Sequence, residues 1–448
     1  MVEYVEIAVN VPRVSGVFHY HCPPELEGRL HPGHLVLVPF GARTVQGVMV
    51  RQVDSPEVPE TKAVDSLLDE EPVLTNLQLQ LASYLAESTL APLAACVNLM
   101  LPPGIGQLAD LLYEVAPAGK IFDGKLGAAQ ERLWKVLKAR GPLRGRQLDR
   151  ALPRRNWRAS VKALQHKGLV SIKPVVPLPS AHPKTVRTAE LSASQTPADE
   201  KQLGRNQATR TRRAKMLKIL ESDAGAVDAT WLYEESGGKL QDLTALAELG
   251  LVQLSERETF RDPLSELAYN LSLPLELTRD QTRAWDEVHK ALARANAGEL
   301  PRPILLHGVT GSGKTEIYLQ AVAKALALGR QAIVLVPEIA LTPQAAQRFL
   351  ARFPGQVGLI HSELSEGERY DTWRRARAGQ LSVILGPRSA LFAPLKDIGL
   401  IVVDEEHDDS YYEATQEPHY HAREAAVAYA RLARAACRCV TLDPLTCG

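Results

Sequence analysis

Apolar and polar positions change rhythm twice along the chain, marking three stretches. Up to about residue 105 the apolar residues come in short runs of strand length. Val5 to Val11, Phe18 to Tyr20, Leu35 to Pro39 and Gln46 to Gln52 read as strands. Pro23-Pro24, Pro32-Gly33 and Phe40-Gly41-Ala42-Arg43 read as the turns between them. After Glu71-Pro72 the pattern predicts a helix with Thr75 as N-cap, running through Tyr84 to Glu87. Pro102-Pro103-Gly104 closes a small β-rich unit with one covering helix, residues 1–105.

The middle stretch is helical and weakly repeated. Ala163-Leu164-Gln165-His166-Lys167-Gly168-Leu169-Val170 matches Ala245-Leu246-Ala247-Glu248-Leu249-Gly250-Leu251-Val252 at an offset of 82 residues. Two helical patterns, a capping Gly and a Leu-Val pair that opens a wing hairpin make the outline of a winged helix. Residues 110–175 and 211–262 are the two copies. Residues 176–210, rich in Ser, Thr, Ala, Pro and charge, read as a mobile linker. From 265 to 448 apolar runs alternate with helices: Ile304 to Leu306, Ala332 to Val336, Ser382 to Leu385 and Leu400 to Val403. Such runs predict a parallel sheet covered by helices on both faces. The fold class is multidomain α/β.

Length and composition change this picture little. A chain of 448 residues needs more than one core. Net charge is zero, yet Lys125 to Lys173 holds fourteen Lys/Arg against Glu131 and Asp149. That island includes Arg144, Arg146, Arg154, Arg155 and Arg158 in the first winged helix, whereas the second carries Glu234, Glu235, Asp242 and Glu248. A polyanion partner and a solvated charged face both fit the composition. The five cysteines form no C-x-x-C pair, so neither a disulfide framework nor a zinc site is expected. The N-terminus has no secretory pattern, and no apolar run approaches the ~18 residues of a membrane span. A cytoplasmic protein without membrane contact is expected.

The chemistry concentrates in the last stretch. Gly308-Val309-Thr310-Gly311-Ser312-Gly313-Lys314-Thr315 fits G-x-x-x-x-G-K-[ST] between a predicted strand and helix. Gly308, Gly311 and Gly313 let backbone N–H groups wrap phosphates at a helix N-terminus. Lys314 is placed for the β- and γ-phosphates, and Thr315 for Mg²⁺. Ninety residues on, Asp404-Glu405-Glu406-His407 follows four apolar residues. Asp404 at the strand end is the expected second Mg²⁺ ligand, and Glu405 the group that activates water. ATP and Mg²⁺ are the predicted cofactors.

Longer strings carry a resemblance. Leu305 to Leu319 reads LLHGVTGSGKTEIYL, Val334 to Gln344 reads VLVPEIALTPQ, and Gly386 to Pro394 reads GPRSALFAP. Ile401 to Arg423 reads IVVDEEHDDSYYEATQEPHYHAR. Together these resemble the PriA family of primosomal replication-restart helicases, in superfamily 2. The resemblance implies a RecA-like helicase lobe and a 3′-to-5′ DNA helicase. Its expected partners are branched and single-stranded DNA, primosome proteins and single-stranded-DNA-binding protein. It implies an aromatic-rich loop with Tyr411, Tyr412, His419, Tyr420 and Arg423 that couples DNA contact to ATP hydrolysis, with rings able to stack on bases. It implies that Gln281, with Arg279 beside it, reads adenine. Thr342, and Ser389 after Arg388, become phosphate-backbone contacts. Apart from the resemblance, the basic island makes Arg154 and Arg155 of the first winged helix candidate DNA contacts. The N-terminal unit resembles the family's 3′-DNA-end-binding domain, with Phe18, His19, Tyr20, Gly41 and Lys62 around the last nucleotide.

Two positions depart from the family pattern. Pro387 stands where Thr is usual and lacks an N–H. His19 stands where Asp is usual, so the acceptor for a 3′-hydroxyl is altered. The resemblance stops near Val440, where the family continues into a second motor lobe with a γ-phosphate arginine and zinc-binding cysteines. Those zinc sites are therefore not expected here, and a fragment or short form of a longer helicase is. Three functions remain open: a replication-restart motor, a fork-DNA-binding scaffold that does not hydrolyse ATP, and an unrelated nucleotide kinase. The last fits poorly with Asp404 to His407 and the basic island.

Overall fold

A computed structural model describes residues 3–9, 11, 16–41, 43–102, 110–116, 126–144, 147–148, 151–152, 157–175, 184–192, 203–223, 225–265, 267–300, 302–309 and 311–441. The first strands are β1 (Tyr4–Val9), β2 (Phe18–His21), β3 (Leu35–Phe40), β4 (Arg43–Val53), β5 (Lys62–Ala63) and β6 (Ser66–Leu67). They form one sheet in the order β5-β2-β1-β4-β3-β6. Strand alternation sorts the side chains between two faces. Val5, Ile7 and Tyr20 join Val36, Val38, Val45 and Met49 in one apolar cluster. Ala8, Leu35 and Val48 pack on a different one.

Two helices, not one, follow: α1 (Asn76–Thr89) and α2 (Leu93–Met100). Thr75 caps α1 as expected, in a capping box with Gln78. These helices do more than cover the sheet. Leu81, Leu85, Val97 and Met100 are buried in the same core as Ile333, Leu335, Ile401, Val403 and Tyr429 of the C-terminal stretch. Gln78, fully buried, donates to the Phe392 carbonyl at 2.8 Å. Periodicity shows that α1 has an apolar stripe; it does not show which distant strands fill it.

Two modules with a similar order of elements follow, and their last strands pair differently from the expected wing. The first copy comprises β7 (Asp110–Val115), α3 (Ala128–Arg140), β8 (Leu143–Arg144), α4 (Trp157–His166) and β9 (Val170–Val175). Among the described residues β9 pairs antiparallel with the earlier β7, not with a later strand. The second copy repeats this with β10 (Lys184–Leu191), α5 (Gln207–Ser222), β11 (Val227–Asp228), α6 (Ala229–Ser236), α7 (Leu240–Glu248) and β12 (Val252–Thr259). Its last strand pairs antiparallel with β10, Lys184 opposite Thr259 and Leu191 opposite Val252. The expected 176–210 linker is thus corrected, since β10 lies inside it. The compact unit that holds this second copy spans His182–Asp262. Short polar residues disguised the strand: Thr188 and Ala189 are buried, and the Thr188 hydroxyl meets that of Ser255 at 2.8 Å. Asp242, one of the acids of the second copy, is buried between Arg212 and Arg213 at 3.1 Å each.

The C-terminal stretch runs α8 (Arg279–Asn296), β13 (Ile304–His307), α9 (Lys314–Ala327), β14 (Gln331–Leu335), α10 (Pro343–Arg352), β15 (Val357–Leu359), α11 (Glu366–Arg377), β16 (Val383–Gly386), β17 (Ile398–Val403), α12 (Ala422–Leu432) and β18 (Ala436–Thr441). The six strands are parallel in the order β13-β18-β17-β14-β16-β15. Every residue of β16 and β17 is buried, which explains their unbroken apolar runs. No helix among the described residues is long and apolar enough to cross a membrane.

An ionic clamp reinforces the shared core. Arg377 donates to Asp69 Oδ2 at 2.8 Å and Oδ1 at 3.0 Å, and to the Glu71 carbonyl at 2.7 Å. Burial pushes the Asp69 pKa up, but the Arg377 hydrogen bonds and charge outweigh it and hold the group below its ordinary value. A carboxyl with a lowered folded pKa stabilises above its unfolded pKa and loses that contribution as pH falls through the folded one. Asp69→Asn is expected to cost about 1 kcal/mol at pH 7 in urea unfolding, given its partial exposure. The gap should narrow below about pH 4. An equal gap at both pH values would show that the charge is not responsible.

Candidate nucleotide site and nucleic-acid contacts

The loop between β13 and α9 is shaped by glycine. Gly311 and Gly313 both sit at φ 81°, a left-handed conformation that side chains disfavour. A Cβ on Gly313 would also collide with the Gln281 amide. Lys314 is buried, and its Nζ donates to the Gly308 and Val309 carbonyls, the latter at 3.1 Å. The amine is thereby held over the loop. Asp404 leaves the end of β17, where its N–H bonds the Leu335 carbonyl at 2.8 Å. Tyr318, one helical turn after Lys314, donates its hydroxyl to Asp404 Oδ2 at 3.0 Å. Tyr411 donates to the Asp404 main-chain carbonyl at 2.6 Å. Glu405 has φ 45°, a strained conformation for a residue with a side chain, of the kind that gathers at functional sites.

Gly311, Gly313, Lys314, Thr315, Asp404 and Glu405 line one cavity of about 1070 Å³. Its chemistry fits a magnesium nucleotide: a helix N-terminus and a lysine for phosphate, a hydroxyl and a carboxylate for the ion. Among the described residues no group of three or more His, Cys, Asp or Glu could hold a metal ion. Magnesium that arrives with phosphate oxygens and keeps several waters needs only one or two protein ligands. Thr315 and Asp404 would hold it, and the bound ion would offset the charge on the phosphates. Burial raises the Asp404 pKa despite the Tyr318 hydrogen bond and the Lys314 charge. Burial, then the Asp404 charge, raises that of Glu405. A carboxylate raised toward the working pH is a better proton acceptor.

Gln281, expected to read adenine, lies against the loop. Its Oε1 accepts from Thr278 N at 2.8 Å, and its Nε2 donates to the Ser312 carbonyl at 2.8 Å. Arg279 beside it is exposed. Sequence reasoning missed the segment before it. Ser272 N bonds the Ala351 carbonyl at 3.0 Å, and Leu275 N bonds Glu316 Oε1 at 3.1 Å, so this strap lines the same cavity. It also missed Tyr318, although four-residue spacing from Lys314 was a usable signal.

The expected nucleic-acid contacts divide sharply. Phe18 meets Phe40 edge-on at 5.0 Å and is half-buried. Tyr20 is a core residue whose hydroxyl donates to the Pro39 carbonyl at 3.2 Å, so it offers no open ring face, contrary to expectation. His19 is largely covered and stands 3.4 Å from Glu6, which Arg51 also holds. Gly41 is exposed at φ 60°, with open space around it, and the exposed Lys62 Nζ reaches its carbonyl at 3.4 Å. Thr342 caps α10 and is exposed. Tyr411 and Tyr420 correct the aromatic-loop expectation: both are buried, leaving Tyr412 and His419 exposed. Their hydroxyphenyl rings fill the core beneath the loop, where apolar area outweighs the loop's polar surroundings. Arg388 fastens that loop, donating to the Ser410 and Tyr412 carbonyls at 2.9 Å each and to Glu413 at 2.8 Å. Arg423 pairs with Glu406 at 2.6 Å. Arg154 and Arg155 lie outside the described residues.

Known proteins resemble the chain in the same places. A family profile for the 3′DNA-binding domain (3′BD) matches residues 6–102, and one for the DEAD/DEAH box helicase matches residues 278–433. The replication restart protein PriA of Bacillus subtilis (strain 168) is 33% identical over 426 residues, covering 94% of this chain and 51% of that protein. By sequence, the chain is similar to PriA proteins along nearly its whole length. The PriA of Synechocystis sp. is 32% identical over 448 residues, covering 96% of this chain and 50% of that protein. The chain spans about half the length of these PriA relatives. A solved structure of RecG bound to a three-way DNA junction is 23% identical and covers 38% of this chain and 21% of that one. Its TM-score of 0.29 is too low to carry an argument.

Two outcomes test the site. Tyr318→Phe keeps the stack on Phe349 but removes the hydroxyl from Asp404. Binding of a fluorescent ADP analogue should be unchanged in EDTA, while its magnesium-dependent gain should fall roughly tenfold. Equal loss in both buffers would assign Tyr318 to packing alone. Glu405→Gln removes a carboxylate that burial and Asp404 disfavour. A raised folded pKa makes that cost full above it and absent well below it. Calorimetric scans should therefore show a midpoint higher by about 2–4 °C at pH 8, with a smaller gain at lower pH. A lowered midpoint at pH 8 would contradict the assignment.

Proposed function

We propose that this chain locates DNA and binds ATP for a replication-restart helicase. In this reading it acts 3′ to 5′ on branched or stalled forks and helps reload the replication machinery. The observation that carries the reading is the shared cavity of Lys314, Thr315, Asp404 and Glu405. It sits in a chain whose residues 6–102 match a 3′DNA-binding domain. Lys314 holds phosphate, Thr315 and Asp404 take magnesium, and Glu405 accepts the proton from attacking water. Glu405 lines that cavity and has a strained backbone, of the kind that gathers at functional sites. In the N-terminal unit, Phe18, Gly41 and Lys62 receive the last nucleotide of a strand. Glu6, beside His19, supplies the carboxylate that a 3′-hydroxyl needs. Primosome proteins and single-stranded-DNA-binding protein are the partners of this reading.

DNA-stimulated ATP hydrolysis, measured beside binding to forks with a free or a 3′-phosphorylated end, tests it. The reading expects preference for the free end, weakened by Glu6→Gln, and hydrolysis that Lys314→Ala abolishes. Fork binding without turnover would leave a scaffold instead of a motor. Nucleotide binding with no affinity for branched DNA at moderate salt would revive the kinase reading.

A further inference from the structure

The two repeated modules carry opposite chemistry on the same helix. Aligned at the offset of 82 residues, α4 and α7 bury the same positions: Ser160, Val161 and Leu164 in the first, Asp242, Leu243 and Leu246 in the second. The outward positions differ. By sequence the first copy places Arg158, Lys162, His166 and Lys167 where the second has Leu240, Thr244, Glu248 and Leu249. All four of the latter are exposed, Leu240 at 47% and Leu249 at 41%. Leu240, Thr244 and Glu248 follow at four-residue steps and share one side of α7. Positions that are cationic in one copy, and so suited to phosphates, are apolar, neutral or acidic in the other.

The preceding helix, α6, continues the pattern. Trp231 is exposed at 43%, and Glu234 and Glu235, three and four residues on, lie on its side of the helix. Glu234, Glu235 and Glu248 form no ion pair among the described residues. Lys239 is the one cation from Ala229 to Leu249. The module's basic helix does not compensate, because four of the five cations of α5 are spent inside the module. Arg212 and Arg213 hold Asp242, Arg210 donates to the Gly204 carbonyl at 2.7 Å, and Lys215 donates to that of Glu235. A single exposed leucine is ordinary on a protein surface. Here three large apolar side chains stand on two consecutive helices with three unpaired acids, and the repeat shows that cations are tolerated at two of the apolar positions. A surface shaped by solubility alone favours polar residues there.

We propose that α6 and α7 dock a protein segment that is basic and carries apolar side chains. Trp231, Leu240 and Leu249 anchor it, and Glu234, Glu235 and Glu248 pair with its cations. Tryptophan is among the residues whose burial contributes most at interfaces, and unpaired acids steer a basic partner toward it. The inference rests on the replication-restart reading only in expecting a protein partner; the ATP and fork assays decide that reading by themselves.

Anisotropy titration of the full chain with a labelled amphipathic peptide of leucine and lysine tests it, beside a peptide with glutamate in place of every lysine. The lysine peptide should bind and the glutamate peptide should not. Trp231→Ala should weaken binding roughly tenfold. The double variant Glu234→Gln, Glu235→Gln should weaken it several-fold at low salt and little at high salt, where exposed charges are screened. DNA-stimulated ATP hydrolysis should be unchanged in each. No binding of the lysine peptide, equal binding of both peptides, or variants that match the parent would overturn the proposal. Should Trp231→Ala misfold, Leu240→Gln at the exposed start of α7 decides, with the same loss expected and parent-like affinity overturning the proposal. Weaker DNA binding by Trp231→Ala would assign the face to nucleic acid, and self-association abolished by Leu240→Gln would assign it to a second copy; the proposal fails in both cases. Peptide binding by a parent chain that neither hydrolyses ATP nor binds forks supports the docking surface while sinking the motor reading, so the two fail separately.

Discussion

Leu81, Leu85 and Met100 meet Ile401, Val403 and Tyr429 in one water-free core, and the placement of both candidate sites depends on that contact. The side chains come from the two ends of the described chain. At about 25 cal/mol for each Å² of apolar surface removed from water, joining them in one core opposes separation of the N-terminal sheet from the nucleotide lobe. Gln78 and Arg377 add directional bonds across the same seam. The β-rich unit with its 3′DNA-binding-domain match is therefore not a tethered module; it is built onto the helicase lobe. A cavity of about 510 Å³ along this seam is lined by Leu99 to Pro102 and by residues of α11.

The nucleotide cavity shows a related economy. Asp404 is held at three points by different parts of the chain: Leu335 on its neighbouring strand, Tyr318 on the loop helix, and Tyr411 beyond the strand. Tyr411 lies within the segment that Arg388 fastens, between Ser410 and Tyr412. Arg388 is thus linked, through the Ser410–Tyr411 backbone and the Tyr411 hydroxyl, to the main-chain carbonyl of Asp404, whose carboxylate is expected to hold magnesium. A displacement of the Arg388 loop would reach Asp404 through the Tyr411 hydroxyl. Buried aromatic side chains suit this role because packing fixes their position, which solvated rings would lack.

Much of this was legible in the residues. The loop at Gly308 to Thr315, the Thr75 capping box and the apolar runs of β14, β16 and β17 carry local signals that packing did not override. What was not legible depends on long-range partners. A stripe of leucines on α1 cannot name the lobe as its partner. Val357-Gly358-Leu359 is too short to read as a strand without the sheet edge that it completes. The Thr-rich β10 looked like a linker until paired with β12. Tyr411 and Tyr420 looked like stacking rings because polarity nearby suggested exposure, and burial is a property of the fold.

The central claim is that the N-terminal unit and the nucleotide lobe form one cooperative body around the shared core. Native-state hydrogen exchange across a urea series tests it most directly. The claim predicts that amides of α1 and α2 and those of β14 and β17 exchange through the same opening, with matching free energies and matching urea dependence. Exchange of α1 and α2 at far lower free energy, while β14 and β17 stay protected, would contradict it.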